Sequence, residues 1–88
     1  MIFQIILSTD AGKTLANLDR PSMRRITERL DQLVSDPLGP RFSKALAHPK
    51  DLRVSRVGDW RILFTADTAR GLVKIQSIGS RGQVYRGL

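Results

Sequence analysis

The residues of this sequence that could do chemistry include three arginines in a segment that otherwise has the pattern of a β-hairpin. Arg53, Arg56 and Arg61 lie within RVSRVGDWRILF. Gly58-Asp59 is a two-residue hairpin signal, and a loop closed by it would place Arg56 directly opposite Arg61. Opposed like charges are unfavourable, so the pattern indicates either an anion-binding pair or two guanidiniums that spread apart into solvent. Arg53 would point to the other face unless a β-bulge changes the phase of the strand.

Residues at the end of the sequence could complete such a site. Arg81 and Tyr85 follow the last strand-like run, in a tail too short to form its own core. Together with Arg61 they would give a cationic site with one hydroxyl-bearing ring, which could orient a ribose 2′-OH, stabilise a pentacovalent phosphate and stack a base. Trp60 begins the second hairpin strand, where its indole ring would either stack on a nucleobase or pack in the core.

The charge of the chain points to an anionic partner. Its 88 residues contain 15 Lys and Arg against 8 Asp and Glu, which gives a formal net charge of +7. A small, strongly basic domain is expected to bind nucleic acid, an acidic protein or a membrane surface, although such an excess can also serve solubility alone. Net charge alone does not show which of these three kinds of partner the protein binds.

Composition also limits the kinds of site. The chain has no cysteine and one histidine, so neither a disulfide nor a metal site is expected, and no cofactor motif is present. His48 lies between prolines in a loop-like segment, where a surface position is favoured over acid–base chemistry. The N-terminal apolar run has no basic leader before it and is too short to span a bilayer, so we expect a cytoplasmic protein with no membrane partner.

The periodicity of apolar residues predicts a single α+β domain over residues 1–88, with the order β-α-α-β-β-β. A helical hairpin would pack on one face of a mainly antiparallel four-stranded sheet. Asp10 is the predicted N-cap of the first helix, and Pro21 the first position of the second. The predicted ranges are strand 2–7, helix 21–35, loop 36–51 and strands 52–57, 60–66 and 72–79. The first strand is expected to be central and covered on both faces, because its apolar run is almost continuous.

The pattern resembles the RelE/ParE superfamily of toxins from bacterial type II toxin–antitoxin systems, over essentially the whole chain. The segments that carry the resemblance are LANLDR, LDQLVSDPLGP, KALAHPKDLRVSRVGDWRILF and IQSIGSRGQVY. RVGDWRILF and the terminal G-x-R-x-x-x-Y are fairly specific in combination. The RelE-like branch is favoured, since ParE-like members generally lack the nuclease residues. The resemblance implies the RelE-like fold, the same order of elements as the periodicity predicts.

RelE-like toxins are ribosome-dependent endoribonucleases that inhibit translation by cleaving mRNA. The resemblance implies attack by a ribose 2′-OH on the adjacent phosphate, leaving a 2′,3′-cyclic phosphate. Arg61 would stabilise the reacting phosphate, Arg81 would act at the phosphate or the leaving oxygen, and Tyr85 would position or activate the 2′-OH. Substrate binding is expected of three residues: Arg53, Arg56 and Trp60. The implied partners are the ribosome, mRNA and an antitoxin with an acidic or amphipathic segment, with DNA bound only by the toxin–antitoxin complex.

The sequence departs from the RelE-like pattern at three positions. Many RelE-like nucleases have basic residues where this chain has Leu52 and Val54, and a histidine or lysine where it has Ser80. A reduced cationic site implies slower cleavage or a different target. The alternatives are a ParE-like inhibitor of DNA gyrase without nuclease activity, and a catalytically weak member that binds only its antitoxin.

Overall fold

The computed structural model describes residues 2–85, which form two helices and one five-stranded sheet. The strand order across the sheet is β1-β5-β4-β3-β2. The α+β class is confirmed, and the sheet has one strand more than the sequence predicts. The elements are β1 (Gln4–Leu7), α1 (Thr9–Ala16), α2 (Arg20–Ser35), β2 (Lys44–Ala45), β3 (Arg53–Val57), β4 (Trp60–Asp67) and β5 (Leu72–Ser80).

Both helices begin at a side-chain cap. The Oγ of Ser8 accepts a hydrogen bond of 3.0 Å from the amide of Ala11, so the cap of α1 lies two residues before the predicted one. Asp10 lies instead in the first turn, where its negative charge interacts favourably with the helix dipole. Asp19 caps α2, and its Oδ2 accepts from the amide of Ser22 at 3.1 Å. Neither helix is long and apolar enough to cross a membrane, within the part of the chain described.

The prediction of a central first strand is wrong. β1 lies at the edge of the sheet and pairs with β5 alone, in parallel. Its apolar residues are covered on the helix side only, and the side chain of Ile6 is 45% exposed on the other side. In β1, therefore, a continuous apolar run does not imply that both faces of the strand are buried.

The extra strand is β2, which lies inside the segment predicted to be a loop. Lys44 pairs with Val54, and Ala45 with Arg53, in antiparallel register. Pro40 precedes this pair, and proline lacks the amide that a longer sheet ladder needs. Two paired residues are too few to give a periodic signal, which is why the pattern predicts four strands.

The sheet separates two apolar clusters. The larger one lies between the sheet and the helices, and its most buried side chains are Phe64, Ile26, Leu33, Ile62, Ile75 and Val73. The smaller one lies on the opposite face and consists of Leu52, Val54, Leu63 and Val84. Val84 comes from the segment after β5, so this tail folds back over the face that the helices leave open.

Candidate functional site at the Arg56–Arg61 pair

The hairpin between β3 and β4 has the register that the sequence predicts. Arg56 pairs with Arg61, and the two-residue turn is Gly58-Asp59. Gly58 has a φ of 61°, and Asp59 is not among the residues with positive φ. A positive φ at the first turn residue alone is the pattern of a type II′ turn, whose twist matches that of the strands. The turn therefore fixes two arginines opposite each other on the face away from the helices.

Arg61 is a buried cation held by main-chain oxygens. Its side chain is only 6% exposed, and its Nη1 donates to the carbonyl oxygens of Gly58 at 2.8 Å and Trp60 at 2.9 Å. Within residues 2–85 the sole ion pair is Arg70–Asp67, at 3.9 Å, so Arg61 has no carboxylate partner there. Burying an unpaired charge is costly, and the carbonyl dipoles offset only part of that cost. An anion at this point would neutralise it.

The tail after β5 reaches the same site through main-chain hydrogen bonds. The amide of Arg81 donates to the carbonyl oxygen of Asp59, at 3.0 Å, which joins the tail to the hairpin turn. A tight turn follows, because the amide of Val84 donates to the carbonyl oxygen of Ser80, at 3.0 Å. Val84 is buried and anchors this turn, while Arg81 and Tyr85 on either side of it are exposed.

These elements enclose a shallow cleft, here called the arginine cleft. Its volume is about 230 Å³, which is below the usual range of about 300–1,000 Å³ for small-molecule pockets. It is open to solvent, and among the described residues no acidic side chain lines it. Such a site suits one phosphate of a longer strand better than an enclosed small molecule. The lining residues are Lys44, Val54, Arg56, Arg61, Arg81 and Tyr85.

Sequence reasoning missed Lys44 as a member of this site. Lys44 is exposed and lies on β2, beside Val54 of β3. It therefore brings a cation next to Val54, one of the positions where the sequence lacks the basic residue of RelE-like nucleases. No local signal marks it, since Lys44 joins the cleft only through the two-residue pairing of β2.

Arg53 and Trp60 lie elsewhere, on the helix side of the sheet. The Nε of Arg53 donates to the Oγ of Ser43 at 2.9 Å, and its Nη2 to the carbonyl oxygen of Leu38 at 3.4 Å. The indole nitrogen of Trp60 donates to the Oγ of Ser22 on α2, at 3.2 Å. β3 and β4 pair without a bulge, so nothing changes the phase of Arg53. The structure thus does not bring these two residues together with Arg56, in contrast to the expected substrate-binding set.

Other candidate groups lie outside the cleft. His48 is exposed between β2 and β3 and does not line it. Across residues 2–85, no three His, Cys, Asp or Glu side chains are grouped so that they could hold a metal ion. Arg29 of α2 has a structural role, because its Nη1 donates to the Ser55 Oγ at 2.9 Å and to the carbonyl oxygen of Arg56 at 2.8 Å. It fixes the backbone of Arg56 from the helix side.

Solved structures of toxin–antitoxin systems share this fold. The chain superposes on the RelBE2 toxin–antitoxin complex of Mycobacterium tuberculosis with a TM-score of 0.80 and 23% identity, covering 92% of this chain and 100% of that one. For the archaeal RelE–RelB complex of Pyrococcus horikoshii the TM-score is 0.77, with 24% identity and coverage of 94% and 99%. For the DinJ–YafQ complex of E. coli it is 0.76, with 16% identity and coverage of 97% and 99%.

Sequence comparison gives the family. No curated protein is significantly similar to the chain in sequence. Residues 5–85, however, match the family described as the ParE toxin of the type II toxin–antitoxin system parDE. This match includes both helices, the whole sheet except its first residue, and the arginine cleft. The chain therefore belongs to the ParE toxin family and is a toxin of a type II toxin–antitoxin system, within the RelE/ParE superfamily.

Proposed function

We propose that the toxin is a ribosome-dependent endoribonuclease that inhibits translation by cleaving mRNA. The observation that carries the proposal is the buried guanidinium of Arg61, which faces a cleft with three more cations and no acidic residue. Preorganised donors in a partly dry site stabilise developing phosphate charge far better than donors in water do. A surface that only contacted another protein would not need at its centre a buried cation that has no carboxylate partner among residues 2–85.

The proposed reaction moves one proton and needs no water. The ribose 2′-oxygen attacks the adjacent phosphorus, a new O2′–P bond forms, and the P–O5′ bond breaks. The proton lost from the 2′-OH is balanced by the proton that the 5′-oxygen gains, which leaves a 2′,3′-cyclic phosphate and a 5′-OH. Arg61 binds the non-bridging oxygens, Arg81 the phosphate or the leaving oxygen, and the Tyr85 hydroxyl positions the 2′-OH. Arg56 binds the substrate strand.

The requirement for the ribosome fits the shape of the site. The arginine cleft is open and shallow, so it neutralises a phosphate but does not by itself hold a strand with its 2′-oxygen in line. A ribosome that presents mRNA in a fixed conformation would supply that alignment. The cytoplasm is the compartment in which this substrate occurs.

The proposed inhibitor is a cognate antitoxin with an acidic or amphipathic segment. The cleft and its surroundings carry an excess of exposed arginine, so a segment of opposite charge would both bind it and exclude RNA. The similar RelBE2, RelE–RelB and DinJ–YafQ structures are toxin–antitoxin complexes. DNA binding is proposed only for such a complex and not for the toxin alone.

The family match favours a second candidate, a ParE-like inhibitor of DNA gyrase that has no nuclease activity. Under that hypothesis the arginine cleft would be a protein contact. Primer extension on mRNA after induction separates the two, because a nuclease gives new 5′ ends within reading frames. A gyrase inhibitor would instead induce the SOS response and leave mRNA intact. If Arg61→Ala arrests growth as strongly as the wild type does, the nuclease proposal fails.

A further inference from the structure

A second basic cleft adjoins the arginine cleft around the edge of the sheet. We call it the Phe42 cleft, after the aromatic residue in the segment that precedes β2. It shares Lys44, Val54 and Arg56 with the arginine cleft, so the two form one continuous depression. The side chains that give it its character are Arg29, Arg41, Phe42, Lys44 and Arg56.

The charges of the Phe42 cleft are all of one sign. Of its lining residues within the described range 2–85, four are Arg or Lys and none is acidic. The guanidinium carbons of Arg29 and Arg41 lie 5.8 Å and 5.9 Å from the centroid of the Phe42 ring. Contact with an aromatic ring orients a guanidinium and reduces the freedom it loses on binding. Arg41 is exposed and forms no ion pair within residues 2–85, so its donors are available to a ligand.

Arg56 lies at the junction of the two clefts, and its backbone is held in place. Its side chain lines both, and Arg29 holds its carbonyl oxygen at 2.8 Å. Lys44, which pairs with Val54 from β2, also lines both clefts. The cations thus follow one another from Arg81 and Arg61, past Arg56 and Lys44, to Arg41. A row of separate positive charges matches the repeating phosphates of a nucleic acid strand. A ligand with a single carboxylate would need only one of these cations.

We propose that the Phe42 cleft is a second RNA-binding subsite, which takes the phosphate of a nucleotide next to the one held in the arginine cleft. Lys44 and Arg56 bind the backbone between the two subsites, and Arg41 binds the outer phosphate. This inference rests on the proposed nuclease function for its ligand. The inference goes beyond the proposed nuclease function because it assigns Lys44 and Arg41 to substrate binding. It also gives the direction in which the RNA strand leaves the site.

The test measures binding without cleavage. The probes are fluorescent single-stranded RNAs of two and of six nucleotides, 2′-O-methylated so that no 2′-oxygen can attack, and affinity is followed by anisotropy as salt is varied. For the six-nucleotide probe, Arg41→Ala should weaken binding and reduce the salt slope by about 0.7, the value for one phosphate of a single strand. Lys44→Ala should do the same. The two-nucleotide probe should lose affinity with Lys44→Ala but not with Arg41→Ala.

Arg24→Ala is the matched control, because Arg24 is exposed on α2 and lines neither cleft. It should leave both affinities and both slopes unchanged. Unchanged binding of the long probe by Arg41→Ala would overturn the second subsite, and so would a loss of antitoxin affinity without a loss of RNA affinity. Neither result touches the nuclease proposal, which fails separately if primer extension finds no mRNA cuts.

Discussion

Arg56 and Arg61 lie directly opposite each other in the β3–β4 hairpin, and Arg61 is buried while Arg56 is exposed. Favourable cross-strand pairs contribute about 0.2–1 kcal/mol each, and like charges directly opposite each other destabilise a sheet. The hairpin therefore has a local energetic cost that an anion would remove. This relationship supports the proposed anion site at the pair.

The first prediction concerns the stability of the free toxin. In a low-salt buffer without multivalent anions, Arg56→Gln should raise the free energy of unfolding by a few tenths of a kcal/mol to about 1 kcal/mol, because it removes the repulsion. Denaturant unfolding measures this. Adding sulfate should stabilise the wild type more than the variant, with sodium chloride of equal ionic strength as the control. A variant less stable than the wild type in the anion-free buffer would show that the pair carries no strain.

The second prediction concerns the chemistry of Arg61. Arg61→Ala should reduce mRNA cleavage by about 10²–10³-fold, the usual effect of losing one preorganised donor to a developing charge. Arg61→Lys should recover only part of the activity, since a lysine keeps the charge but not the planar set of donors that now spans the turn carbonyls and the cleft. Primer extension at matched protein levels is the readout. Equal activity of the lysine variant and the wild type would contradict this geometry.

Several features of the site could be predicted because local chemistry determines them. Gly58-Asp59 fixes the turn, and the turn fixes the register, so the opposition of Arg56 and Arg61 follows from the sequence. The sequence also predicts that Arg53 lies on the opposite face of the sheet from Arg56, because side chains alternate along a strand. Arg81 and Tyr85 are expected at the site from their position just after the last strand-like run, and the family resemblance adds only the role of each.

Other features depend on contacts distant in the chain, which periodicity does not record. Lys44 joins the cleft through a pairing of only two residues. β1 is an edge strand because of where β5 lies, although its own residues are typical of a central one. Trp60 suits either a core or a stacking role by type, and its hydrogen bond to Ser22 on α2, distant in the chain, is not recorded in the local pattern.

The third prediction follows from that position of Trp60. Trp60→Phe and Ser22→Ala should each destabilise the fold, and a double-mutant cycle should give a coupling of about 0.5–1.5 kcal/mol for the lost hydrogen bond. Growth arrest at matched soluble protein levels should be unchanged in Trp60→Phe, because the indole faces α2 and not the cleft. Loss of toxicity in a variant that remains folded would instead place Trp60 in substrate or target binding.

The fourth prediction is a pH dependence of stability from the cap of α2. Hydrogen bonds from Ser22 hold the pKa of the Asp19 carboxyl below its ordinary value of 3.8. A group with a lowered folded-state pKa contributes stability that is fully present above its unfolded pKa and is lost as the pH falls through the folded pKa. Asp19→Asn keeps an oxygen acceptor without the charge. The stability advantage of the wild type over this variant should therefore be constant above pH 5 and shrink below about pH 4. An advantage that grows on acidification would contradict the sign.

The fifth prediction tests whether the tail positions Arg81 and Tyr85. A Cβ added at Gly79 would lie 3.3 Å from the Cβ of Val84 and 3.4 Å from its Cα, so Gly79→Ala should push the turn away from the sheet. Val84→Ala keeps the turn but removes buried methyl groups, at a cost of about 1–2 kcal/mol.

We expect Gly79→Ala to reduce toxicity and mRNA cleavage more than an equally destabilised core variant such as Ile78→Val, which lies on the helix side. Thermal unfolding establishes the stability match. If the Gly79 and Ile78 variants lose activity equally at matched stability, the tail has no positioning role beyond its contribution to the fold.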